Sequence, residues 1–118
     1  MSRHALIIED EILIAYEVQD ALARLGFDSF DMASSPGEAL AYATAHRPNL
    51  ITADMRIEDG TGLDAVRAIK AAMGEIPVVY VTANADMLRD EGAAAVVEKP
   101  IAWPQLAAAC NRACGLNS

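Results

Sequence analysis

An α/β domain whose five-stranded parallel sheet is doubly wound, with helices on both faces, is the fold class the sequence predicts, and three observations carry it. Five short runs rich in β-formers, "HALII", "FDSFDM", "NLITA", "PVVYVTA" and "AAVVE", alternate with Ala-rich stretches of helical spacing. Apart from the second, the runs are apolar nearly throughout instead of alternating, as strands covered on both faces must be. Parallel neighbours in turn need right-handed helical crossovers, which the intervening stretches supply. The second run mixes Asp and Ser with Phe and Met, and that polarity predicts an edge strand.

Each helix has readable limits. The first spans about Glu11 to Leu25, with Ile14, Val18, Ala21, Leu22 and Leu25 on one face and Gly26 to end it. The second opens on "SPGE", where Ser35 caps, Pro36 suits the first helical position and Glu38 completes a capping box; Pro48 stops it. The third opens with Thr61 and Asp64 at capping-box spacing, turns Leu63, Val66, Ile69 or the Lys70 stem, and Met73 inward, and ends at Gly74. The last begins near Trp103 and Pro104, presents Leu106, Cys110 and Ala113 to the core, and ends at Gly115.

Length and charge narrow the function. The 118 residues, 53% of them hydrophobic, suffice for a single core, so residues 1–118 are expected to form one domain. A formal net charge of -8 argues against nucleic acid, because phosphate contacts need a basic surface. The start "MSRHALIIEDE" has too short an apolar run for a signal peptide and no stretch approaches a membrane span, so a cytoplasmic protein with no membrane partner is expected. Cys110 and Cys114 share a helical face, but without a nearby His or third Cys they make a poor zinc site, and a helix holds them badly for a disulfide. They read as small apolar helix residues.

In a doubly wound sheet, ligands bind at the carboxyl ends of the strands, beside the point where the strand order reverses. Those ends collect Glu9 and Asp10 from the first strand, Asp54 from the third, Thr82 from the fourth and Lys99 from the fifth. Singly, such residues are solvated turn acids, a β-former and a surface charge. Jointly they are three carboxylates, a hydroxyl and an ammonium at one edge. Two carboxylates about 5 Å apart repel by about 3 kcal/mol at an effective dielectric of about 20, so the cluster needs a countercharge or a shifted pKa. Mg²⁺, a hard cation that takes oxygen ligands, suits the set. A phosphoryl group arriving at one carboxylate would meet that cation, the Lys ammonium and the Thr hydroxyl, which is most of what phosphoryl transfer requires.

Through "IIEDE", "ITADM", "VVYVTA" and "VVEKP", in that order, the chain resembles the receiver domains of two-component response regulators over essentially its whole length. The resemblance implies a flavodoxin-like sheet of strand order 2-1-3-4-5, with Asp54 as phosphoacceptor and Thr82 and Lys99 contacting the phosphoryl group. It implies Mg²⁺ held by Asp10, Asp54 and the backbone carbonyl of Arg56, with Glu9 acting through a metal-bound water. It also implies a cis Lys99–Pro100 bond that aims the ammonium. The partners implied are a histidine kinase or phosphotransfer protein of a phosphorelay and an unidentified downstream protein. With only "LNS" after Gly115 no output domain is expected, so output would run through protein contact, whether the chain is naturally single-domain or cut from a longer regulator. The segments "ALIIEDEILIA" and "PVVYVTA" are further similar to receivers of general-stress regulators that control anti-sigma factors.

The sequence departs from the family pattern in four places. Val96 stands where an aromatic usually sits three residues before the Lys; Tyr80, two residues before Thr82 and on the same strand face, either takes over part of that role or is a packed aromatic. Only "ADMLRDE" remains for the family's fourth helix, a shortened version of about two turns. Glu58 replaces a common Pro in "MRIEDGTG", while Gly60 and Gly62 are kept for the tight turn. Arg56 and Asn84 occupy positions that influence acyl-phosphate lifetime, and Arg56 could either shield the phosphoryl group or pair with Glu58. A phosphate-independent interaction module is the competing reading. An aspartate phosphatase is disfavoured, because Arg56 stands where its general acid would be.

Overall fold

The structure, a computed structural model, describes residues 3–83, 96–99 and 101–114. Along the chain run β1 (His4–Ile8), α1 (Ile12–Arg24), β2 (Ser29–Ala33), α2 (Pro36–Ala45), β3 (Leu50–Ala53), β4 (Arg56–Ile57), β5 (Gly60–Thr61), α3 (Gly62–Met73), β6 (Val78–Thr82), β7 (Val96–Glu98) and α4 (Trp103–Ala113). The main sheet has the order β2-β1-β3-β6-β7 with every neighbouring pair parallel. Counting only its strands, this is the expected 2-1-3-4-5 order, with the polar second strand at an edge. The antiparallel pair β4–β5, between β3 and α3, is an addition that the sequence reading did not contain.

Strand periodicity divides the interior in two. Ala5 and Ile7 of β1, Leu50 of β3, Val79 and Val81 of β6 and Val97 of β7 join Val18, Leu22, Leu106 and Cys110 of α1 and α4. Leu6 and Ile8, Ile51 and Ala53, and Tyr80 join Ala39, Ala43, Ala65, Val66 and Ile69 of α2 and α3. Successive residues thus face opposite layers, which is why the strands read as continuous apolar runs. Each fully buried Leu or Ile among them contributes about 1.5–3 kcal/mol by leaving water.

The helix limits refine the sequence reading. In α1 the buried stripe is Ala15, Val18, Ala21 and Leu22, while Ile14 and Leu25 pack at its margin. Glu11 is the N-cap of α1 and lies outside its first turn. At α2, Ser35 accepts a hydrogen bond from the Glu38 N–H as expected, but the reciprocal half of the box is absent. Glu38 instead accepts from the N–H and hydroxyl of Ser34, one residue further back, and these bonds hold its carboxyl below the usual range. The helix gives out at Ala45, before Pro48. At α3 both halves of the Thr61–Asp64 box form; Val66 and Ile69 are buried, Leu63 and Met73 half-buried, and Lys70 exposed. Leu106 and Cys110 of α4 are buried and Ala113 half-buried. The shortened fourth helix expected over "ADMLRDE", Asn84, Pro100 with its peptide bond, and Gly115 lie outside the described residues.

Candidate functional site at the carboxyl end of the sheet

The sheet order reverses at β1 and β3, and the site grows from their ends. Ile8 pairs with Ala53 in register, so Glu9 and Asp54 leave the sheet side by side. Backbone bonds fix both exits: Glu9 N–H donates to the Ala33 carbonyl at 2.8 Å and Asp54 N–H to the Ile8 carbonyl at 3.0 Å. On the far side, Thr82 ends β6 opposite Glu98 of β7, and Lys99 N–H donates to the Thr82 carbonyl at 3.2 Å. Lys99 therefore projects from the end of β7 toward the acids.

The charges close into a triad. The Lys99 ammonium donates to Glu9 Oε1 at 2.9 Å and to Asp54 Oδ2 at 2.8 Å. Glu9 and Asp54 are each 6% exposed and Thr82 is fully buried, so these bonds form largely out of water. Glu9 Oε2 also accepts from the Glu11 N–H at 3.2 Å, giving that N-cap amide a partner. Asp10 is exposed, and oxygens of Glu9, Asp10 and Asp54 all lie within 4.8 Å of one another.

Burial sets the electrostatics. It pushes the Glu9 carboxyl up to about 7, against the pull of Lys99 and the Glu11 amide and helped by the nearby Asp54 charge. For Lys99 burial acts downward, but its bonds to Asp54 and Glu9 outweigh that, and the ammonium is held above its ordinary value. Three carboxylates converging on one point, two of them buried, match the donor set a hard divalent cation takes, so the residues fit Mg²⁺.

Glu9, Asp10, Asp54, Thr82 and Lys99, the five strand-end residues read from the sequence, all fall at this end of the sheet, while the other residues singled out do not join them. Arg56 begins β4 with an exposed side chain and makes no ion pair with Glu58. Tyr80 is buried on the layer of α2 and α3, directly opposite Val96 of β7. Cys110 and Cys114 are free thiols far along α4, and burial pushes Cys110 up to about 12 and Cys114 upward as well.

The sequence reading missed what shapes the loop after Asp54. The β4–β5 turn places Asp59 at φ 60 and Gly60 at φ 156. Gly62 serves close approach rather than turning: a Cβ there would stand 1.9 Å from the Asp54 carbonyl oxygen, while the Gly62 N–H donates to the Met55 carbonyl at 3.0 Å. α3 is thereby seated directly against the Asp54 backbone.

Comparison with known proteins places the arrangement. The family model described as the response regulator receiver domain matches residues 5–111. The chain is 40% identical over 85 residues to the phyllosphere-induced regulator PhyR of Methylorubrum extorquens, a match covering 70% of this chain and 32% of that protein. The receiver domain of Erythrobacter litoralis PhyR superposes with a TM-score of 0.87 at 30% identity, over 99% of this chain and 94% of that one. The anti-anti-sigma factor PhyR of Bartonella quintana gives a TM-score of 0.78 at 29% identity, covering 97% of this chain and 48% of its own. The chain thus spans a third to a half of the two longer PhyR proteins. With the sheet order, the converging acids and the family match in agreement, the chain belongs to the response regulator receiver domains.

Proposed function

We propose that residues 1–118 act as a single receiver domain of a cytoplasmic two-component phosphorelay, accepting a phosphoryl group on Asp54 and signalling through protein contact. The observation that carries this reading is the Lys99 ammonium bonded at once to Glu9 and Asp54, with Asp10 alongside. An Asp54 carboxylate oxygen attacks the phosphorus of a phosphohistidine on a histidine kinase or phosphotransfer protein. The P–N bond breaks, an acyl phosphate forms on Asp54, and the departing imidazole takes up a proton. Lys99 balances the added charge, and the Thr82 hydroxyl donates to a phosphoryl oxygen. Glu9, Asp10, Asp54 and the Arg56 carbonyl would hold Mg²⁺, which when bound supplies charge neutralisation between the carboxylates and the phosphoryl oxygens. Beyond this assisted transfer and a slow dephosphorylation, the domain is not an enzyme.

The product adds charge of about -1.5 to -2, by analogy with other phosphorylated side chains. That charge shifts a loop and strand equilibrium toward a partner-binding form, with Tyr80 serving where the usual aromatic is replaced by Val96. Likeness to PhyR supports an anti-sigma factor as the class of downstream partner. The Val96 replacement also favours a second reading, a module that binds its partner without phosphate.

Incubation with Mg²⁺ and acetyl phosphate, followed by intact mass measurement, tests the proposal. The expected outcome is a gain of one phosphoryl group that Asp54→Asn abolishes. No gain, or a gain that survives the substitution, would refute it. Partner binding that is indifferent to Asp54→Asn selects the phosphate-independent module.

A further inference from the structure

A second polar cluster lies at the opposite end of the sheet. His4 opens β1, four residue rises of about 3.3 Å from Ile8 at its carboxyl end. The register sets His4 beside Ser29 of β2, and Asp31, two residues on, shares that face. His4 is only 4% exposed, with its Nδ1 2.6 Å from Ser29 Oγ and its Nε2 2.9 Å from Asp31 Oδ2. The exposed His46, C-cap of α2, stacks on the His4 ring at 3.7 Å and 15°. Candidate ligand atoms of His4, Asp31 and His46 all lie within 4.8 Å of one another, and the chain's 2 histidines are both here.

We propose that His4, Asp31 and His46 form a binding site for a borderline transition cation of the Zn²⁺ class, separate from the acidic cluster at Asp54. Two imidazoles and a carboxylate suit Zn²⁺, Ni²⁺ or Cu²⁺ and not Mg²⁺, which prefers an all-oxygen set. Ser29 is the positioning residue. With Ser29 Oγ on Nδ1, the His4 ring is held so that Nε2 faces the Asp31 carboxylate, and an ion seated between them would take one ligand atom from each. In the stack the two rings aim their lone pairs along parallel planes, so His46 turns out of it to bring a nitrogen to the ion. Its exposure leaves room for that rotation, and water completes the coordination. The bound ion would tie β1, β2 and the end of α2 together.

Ring-proton NMR tests this directly, because only two histidines contribute signals. Zn²⁺ is titrated into the full chain in the presence of excess Mg²⁺, which occupies the acidic cluster. Both histidine signals should move together and saturate at one equivalent. His46→Gln should abolish the movement of His4, and Ser29→Ala should weaken binding about 10- to 100-fold, as loss of an outer-shell partner does. Asp31→Asn, with the fold checked by circular dichroism, gives a second route to the same loss. Histidine signals that stay in place, or a His4 response unchanged in His46→Gln and in Asp31→Asn, would overturn the site. So would Zn²⁺ binding that disappears on replacing Cys110 and Cys114 with Ser.

Discussion

Glu9 is where burial and function meet most directly. Its carboxyl titrates at about 7 in the folded chain against 4.5 when unperturbed, so between those values the folded state carries a proton the unfolded state has lost. Stability therefore falls as pH rises through that window and the loss is complete above about 7. Discounted for solvent screening, the effect is on the order of 1–2 kcal/mol. Glu9→Gln keeps an acceptor for Lys99 and removes the titration. In denaturant unfolding without divalent cations, the variant should be more stable than the parent at about pH 8 and equal to it at about pH 4. Equal stabilities at both would show that Glu9 is not strained by its site. Gly62 gives a prediction of another kind. Because the Asp54 backbone occupies the place of a Cβ, Gly62→Ala should cost about 3 kcal/mol or more, read as a lower denaturant midpoint. From sequence Gly62 looked like a turn residue; only the approach of α3 to the Asp54 carbonyl, which no local pattern encodes, shows its actual role.

At the scale of elements, the caps separate what local sequence can specify from what it cannot. Thr61 and Asp64 satisfy each other's amides as their spacing implied, since every atom involved lies within one turn. Thr61→Ala should accordingly cost about 1 kcal/mol and lower the thermal midpoint by a few degrees, measurable by circular dichroism. "SPGE" has the same pattern, yet Glu38 turns to Ser34, because an equally local hydroxyl and amide stand one residue further back. The start of α1 is different again. Glu11 offers no side-chain cap; its amide is met by Glu9, a side chain whose own position is set by the exit of β1 and by Lys99. The β4–β5 hairpin escaped notice because two-residue strands are too short for any periodicity to register.

For the whole molecule, a cation taken up by the acidic cluster would couple binding to stability. Three acids held close at a cost in repulsion should be relieved by a divalent cation. With Mg²⁺ at a hundred times its Kd, the unfolding free energy should rise by about 2.7 kcal/mol. Asp10→Asn, at an exposed position, should remove most of that gain while leaving the metal-free midpoint nearly unchanged; calorimetric scans with and without Mg²⁺ would decide. An unchanged midpoint on adding Mg²⁺ would mean that the acids are not a cation site.

The sequence by itself determined the fold class, the order of the sheet's strands in the chain, and the five side chains at their carboxyl ends. These depend on apolar runs, helical spacing and connection rules, all of which are local or topological. The tertiary structure alone decided that Lys99, 90 residues from Glu9 and 45 from Asp54, bonds to both. It also decided that α3 presses on the Asp54 backbone through Gly62 and that the two histidines meet across β1 and the end of α2. Each is a contact between side chains or backbone from different elements, and its distance is set by packing of the layers, which a one-dimensional pattern does not contain.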